Sequence, residues 1–144
     1  MEGNPIRVLV VEGDIEVSRA LTRQLRAHGY EVVVTPSCAT TETLTCCFDI
    51  GVFDIELSDG NGADLAAAML ASGLVDNVVF FTATTFGPYL RQAVAVGQVV
   101  RKRDGVEALI QALADEVGCR SVSTSLVVIK DDGESTPDGK KRTA

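Results

Sequence analysis

The sequence predicts a doubly wound α/β fold, a five-stranded parallel sheet covered by five helices. Three observations predict it. Short apolar, β-branched runs recur along the chain, helical patterns separate them, and glycine, proline or a capping residue marks the joins. Continuous apolar runs of this length suit strands buried on both faces, as parallel sheets require.

The elements follow in order. "IRVLVV" (6–11) reads as the first strand. Residues 15–28 carry Val17, Leu21 and Leu25 four apart, the stripe of an amphipathic helix, and Gly29 stands as its terminator. "YEVVVT" (30–35) is the second strand. Ser37 can cap a helix over 38–47, although its threonines weaken it. "IGVF" (50–53) is the third strand and ends at Asp54. Asn61 to Ser72 is an alanine-rich helix closed by Gly73. "NVVFFT" (77–82) is the fourth strand. Pro88 suits the first turn of a helix reaching Val96, with Gly97 behind it. "QVVRK" (98–102) is the fifth strand, and the last helix runs from Val106 to Glu116.

Composition narrows the function classes. The chain has 144 residues and is nearly half apolar, which fits one ordinary domain with a real core. A net charge of −7 speaks against nonspecific binding to nucleic acid or an anionic membrane. No apolar run approaches the roughly 20 residues of a membrane span. The N-terminus lacks the layout of a signal peptide, so the expectation is a cytoplasmic protein. Cys38, Cys46, Cys47 and Cys119 form no C-x-x-C, and His28 is the single histidine. A structural zinc is therefore not expected. The cysteines read as small buried apolar residues, although only one of the adjacent Cys46 and Cys47 can face the core, with a redox role as the alternative.

In parallel sheets, functional groups gather at the C-terminal strand ends. Here those ends offer Glu12 and Asp14, Asp54, Thr82 and Lys102. A carboxylate can accept a phosphoryl group. The transfer needs a hard cation, a fixed positive group and a hydroxyl near the phosphate. These residues supply a coherent set.

Four stretches, "VLVVEGD", "FDIGVFDIELSDGNGADL", "VVFFTA" and "VVRKRDGVEALIQAL", occur in order. Through them, residues 5–117 resemble the receiver domain of bacterial two-component response regulators, the CheY-like superfamily. The resemblance implies strand order 2-1-3-4-5. It implies Asp54 as phosphoacceptor, Thr82 as switch hydroxyl and Lys102 as phosphate-binding lysine. It also implies Mg²⁺ held by Glu12, Asp54 and the Glu56 backbone carbonyl. Such a protein takes its phosphoryl group from a histidine kinase or histidine phosphotransfer protein. It is a signalling protein, with at most self-catalysed phosphotransfer and autodephosphorylation. A downstream protein would be met through the helix 4–strand 5–helix 5 face.

The departures are equally specific. Gly13 stands where the family has a second metal-binding acid, which weakens the expected Mg²⁺ site. Asp14 is either an added ligand or the N-cap of the first helix. Ser58 and Arg103 replace common prolines, and Val99 takes the place of the aromatic switch residue. The stretch from Thr82 to Lys102 is short for the family, so Arg101 and Arg103 compete with Lys102. Asp59, Gly60 and Gly62 read as turn residues.

The expected domains are 1–117, receiver-like, and 118–144, a tail. Residues 121–130 have strand composition and could add one extra edge strand or dock on a partner, and disorder is expected beyond them. The main functional expectation is a single-domain phosphoacceptor. The alternative is a pseudo-receiver, an interaction module working without phosphorylation. A flavodoxin-like enzyme is disfavoured, since no glycine-rich phosphate loop follows the first strand. A homodimer and a monomer are both left open.

Overall fold

The computed structural model describes residues 5–129, with side-chain environments for 5–117. Two units are distinguished, Met1–Leu113 and Ala114–Ala144. In the first lie the sheet strands β1 (Arg7–Val11), β2 (Glu31–Thr35), β3 (Phe48–Phe53), β4 (Val75–Thr82) and β5 (Gln98–Arg101). All pair in parallel, in the order β2-β1-β3-β4-β5. The helices are α1 (Ile15–Ala27), α2 (Cys38–Thr41), α3 (Gly62–Ser72), α4 (Pro88–Val96) and α5 (Val106–Ile129). The predicted fold class and strand order are thus observed. Among the described residues, no helix is long and apolar enough to cross a membrane.

Period-two alternation splits the core between the sheet faces. Leu9 and Val11 of β1 join one buried cluster with Phe53, Phe80, Ala66 and Met69 of α3, and Ala93 of α4. Val8 and Val10 point to the other face. There the fully buried Leu21 and Leu25 of α1 and Leu109 and Leu113 of α5 complete the core. Burying each such leucine contributes about 1.5–3 kcal/mol.

The helix ends follow sequence chemistry. Asp14 caps α1, accepting from the amides of Glu16 and Val17. Ser37 caps α2 through the Thr40 amide. Asn61 caps α3, and Gly73 closes it in the left-handed region at φ 80°. Pro88 opens α4.

Several expectations are corrected. Helix α2 ends at Thr41, not residue 47. Threonine hydroxyls there turn back on the chain, Thr41 to the Ser37 carbonyl at 2.7 Å and Thr43 to the Thr40 carbonyl at 2.7 Å. These local bonds compete with a longer helix. As a result Cys46 and Cys47 lie exposed ahead of β3, not buried. Cys38 is half-buried, and burial followed by the charge of Asp59 pushes its thiol up. The fifth strand stops at Arg101, and Lys102 opens a 3₁₀ turn, Lys102–Asp104. Residues 121–129 continue α5 where a strand was expected, since helix propagation adds a hydrogen bond per residue and overrides weak β propensity. Cys119 lies outside the described side chains, and residues 130–144 lie outside the described residues.

An unanticipated hairpin follows Asp54, in which Glu56–Leu57 pairs antiparallel with Gly60–Asn61. It brings the start of α3 against the end of β3. The Gly62 amide donates to the Ile55 carbonyl at 2.7 Å. A Cβ on Gly62 would stand 1.8 Å from the Asp54 carbonyl oxygen. Gly62→Ala therefore forces backbone movement and should cost about 1–3 kcal/mol in urea unfolding. An unchanged midpoint would contradict this close approach.

Candidate functional site

Parallel pairing aligns the strand ends that carry the site. Val11 lies beside Phe53, Phe53 beside Phe80, and Thr82 beside Arg101. The next residues, Glu12, Asp54 and Lys102, therefore emerge on one edge. The Glu12 amide donates to the Thr35 carbonyl and the Asp54 amide to the Val11 carbonyl, both at 3.0 Å. These bonds fix both carboxylates at their roots.

Lys102 joins the two acids. Its Nζ lies 3.0 Å from Glu12 Oε1 and 3.1 Å from Asp54 Oδ2. It also reaches Glu12 Oε2 at 3.2 Å. Arg101 and Arg103 do not take this place, because Lys102 is the first residue beyond the strand. The side chains of Glu12, Asp54 and Lys102 are 3%, 12% and 21% exposed, so water screens the triad poorly. Each attraction acts over about 3 Å, so the shared ammonium offsets the mutual repulsion of the two carboxylates and holds the cluster together.

The titration tendencies agree with this geometry. Burial, then the charge of Asp54, push the Glu12 carboxyl above its ordinary 4.5, against the opposing bonds from Lys102 and the Asp14 amide. Burial works against the charge of Lys102, but its bond to Glu12 and the charge of Asp54 more than offset this. Its ammonium is held above the ordinary 10.5.

The cleft around these groups has a volume of about 500 Å³ and is lined also by Gly13, Asp14, Ser37, Glu56 and Ser58. Asp14 Oδ1 is engaged as the α1 cap, at 2.9 Å from the Glu16 amide and 3.2 Å from the Val17 amide. The Asp14 amide donates to Glu12 Oε2 at 3.1 Å, so α1 also orients Glu12. Gly13 adds no side chain. Among the described residues, no three His, Cys, Asp or Glu side chains converge as a metal cluster.

Thr82 is fully buried at the end of β4. Its Oγ1 accepts from the Thr84 amide at 3.1 Å, which leaves its own proton available for donation. Thr84 was missed by sequence reasoning. Its Oγ1 donates to Glu56 Oε2 at 3.1 Å, tying the β4–α4 loop to the hairpin after Asp54. Only its spacing from Thr82 hinted at this. Asp59, read as a turn residue, also accepts from the Cys38 and Ala39 amides at 2.9 Å, docking the hairpin on α2. The Ala39 amide, then that of Cys38, hold its carboxyl below the ordinary 3.8. Val99 is partly buried and packs on the core cluster opposite Phe80.

Comparison with solved structures places this architecture. The chain has the receiver-domain fold of response regulators. A signal receiver domain of an HD domain-containing protein from Pseudomonas fluorescens Pf-5 superposes with TM-score 0.73 at 15% identity, covering 83% of this chain and 99% of that one. A CheY-like response regulator receiver domain from Methanospirillum hungatei JF-1 gives 0.70 at 20% identity, covering 83% and 99%. Response regulator TrrA from Thermotoga maritima, solved with Mg²⁺-BeF, gives 0.68 at 18% identity, covering 76% and 97%. No protein-family model and no curated protein sequence matches the chain.

Replacing Lys102 tests the triad. Lys102→Gln leaves Glu12 buried beside Asp54 with no cation, which should cost about 2 kcal/mol near neutral pH after allowance for partial exposure. Glu12 then binds a proton more readily folded than unfolded. The deficit should therefore shrink as pH falls from about 8 towards 5, measured by urea unfolding across that range. A pH-independent deficit would refute the shared-lysine arrangement.

Proposed function

We propose that this chain is a phosphoacceptor receiver in two-component signalling, with Asp54 as the acceptor. The single observation that carries the reading is the convergence of Asp54, Glu12 and Lys102 at one sheet edge, beside buried Thr82. The donor would be the phosphohistidine of a histidine kinase or histidine phosphotransfer protein. An Asp54 carboxylate oxygen bonds to phosphorus as the phosphorus–nitrogen bond of the donor breaks, and the leaving imidazole keeps the electron pair and takes up a proton. Lys102 shifts from the carboxylates to a phosphoryl oxygen. Thr82 donates its hydroxyl proton to another, and the β4–α4 loop follows it. Output passes to a downstream protein at the α4–β5–α5 face. A cytoplasmic location belongs to this reading.

The donor set also fits Mg²⁺, which is commonly held by one or two carboxylates with waters and phosphate. Glu12, Asp54 and the Glu56 backbone carbonyl would hold it. When bound, it would neutralise charge on the phosphoryl oxygens. Lys102 competes for the same carboxylates, and Gly13 withholds a third. That competition favours a second reading, a pseudo-receiver whose cleft is kept neutral by lysine and which binds partners without phosphorylation.

Intact mass after acetyl phosphate treatment separates the two. The receiver reading expects a Mg²⁺-dependent phosphoryl adduct on the wild type and none on Asp54→Asn. A folded wild type that takes up nothing at high Mg²⁺ rejects it. Gly13 has ordinary backbone, and a Cβ there meets only the Pro36 carbonyl oxygen at 3.4 Å, so a side chain fits. Gly13→Asp should therefore lower the Mg²⁺ needed for half-labelling by about tenfold, one added carboxylate ligand being the difference. An unchanged Mg²⁺ requirement would mean that position 13 does not face the cation.

A further inference from the structure

A second cleft, of about 600 Å³, shares no residue with the Asp54 site. It runs between α1 and β2 and is lined by Ser18, Arg19, Thr22, Arg23, Arg26 and Val34. The three arginines fall at i, i+4 and i+7, on one face of α1. All are exposed, and none has an ion-pair or hydrogen-bond partner among the described residues. Three unpaired guanidiniums together are notable on a chain of net charge −7.

The other polar groups of the cleft are already engaged. The Ser18 hydroxyl donates to the Ile15 carbonyl at 3.1 Å, and that of Thr22 to the Ser18 carbonyl at 2.7 Å. Both hydroxyl protons are thus spent within α1, and the side-chain N–H groups left in the cleft belong to the three cationic guanidiniums. An occupant that engages them brings anionic acceptors.

The opposite wall is a sheet edge. Among the described residues, strand β2 is terminal in the sheet and pairs with β1 alone. Val34, 39% exposed, is an apolar side chain on that edge. Edge strands are normally shielded by charge or proline on the strand itself. On β2 the one charge is Glu31 at the start of the strand, paired with Arg7 Nε at 3.3 Å, and the cationic charge beside Val34 stands on the facing helix. One α1 turn advances about 5–6 Å, close to the roughly 6.7 Å between alternate residues of an extended chain.

We propose that this cleft docks an extended acidic segment of a partner protein, added as a strand along β2. Acidic residues at alternate positions meet Arg19, Arg23 and Arg26, and an apolar residue between them covers Val34. Backbone pairing with β2 supplies affinity, and the arginines supply selection for negative charge. The surface is independent of Asp54 and acts whether or not that residue is phosphorylated.

The test uses the full chain and fluorescent peptides centred on Glu-Val-Glu-Val-Glu. Controls are a Lys-Val-Lys-Val-Lys peptide and a proline-interrupted acidic peptide of matched charge. Anisotropy should report salt-sensitive binding of the first alone. Arg19→Gln/Arg23→Gln/Arg26→Gln should weaken it by about tenfold or more. Val34→Lys, also at an exposed position, should weaken it as well, and both variants should melt as the wild type does. Amide shifts should be confined to α1 and β2. Equal binding of the lysine or proline peptide, undiminished binding by the triple variant, or absence of binding would overturn the proposal. So would binding to anionic lipid vesicles without binding to the peptide, which would make the face a lipid-contacting one.

Discussion

Everything at the functional edge of this molecule depends on one ammonium group shared between two carboxylates. Lys102 comes from the strand end most distant in sequence, yet its Nζ sits within 3.2 Å of both Glu12 and Asp54. Without that cation, two partly buried acids would face each other in a cleft that water screens poorly. The parallel sheet exists, from the standpoint of this site, to deliver three side chains to one place. The cost of burying charge is offset locally, by pairing, and not by the hydrophobic core beneath.

The same sharing defines the functional choice. A lysine that satisfies both acids makes the resting cleft nearly self-sufficient. In the proposed receiver, a cation or phosphoryl group would enter by displacing it. Gly13 sharpens this, because the chain has one acid fewer with which to attract a metal. Asp14 does not simply make up the loss, since one of its oxygens already organises the first turn of α1. In the proposed receiver, activity at Asp54 would be set by competition among positive charges for a limited number of carboxylate oxygens.

Much of this was legible in the sequence. The long periodic elements were readable because a stripe of Val17, Leu21 and Leu25, or a run such as "RVLVV", admits few folds. Capping at Asp14, Ser37 and Asn61 was readable from side-chain chemistry. Asp54, Thr82 and Lys102 were singled out as candidates because strand ends in parallel sheets collect functional groups. The rest depended on tertiary contacts. Helix α2 is cut short by threonine hydroxyls that sequence propensity treats only as mildly unfavourable. The choice of Lys102 over its arginine neighbours was set by where β5 stops, a matter of one residue. The pairing of Thr84 with Glu56 spans 28 positions and leaves no local pattern.

The hairpin after Asp54 joins these contacts into one part. Through Asp59 it grips the start of α2, through Glu56 it holds Thr84, and directly after it Gly62 of α3 bonds to the Ile55 carbonyl beside Asp54. One short hairpin after Asp54 is thus anchored on two separate surfaces, the start of α2 and the β4–α4 loop, so the end of β3 has a covalent route to both.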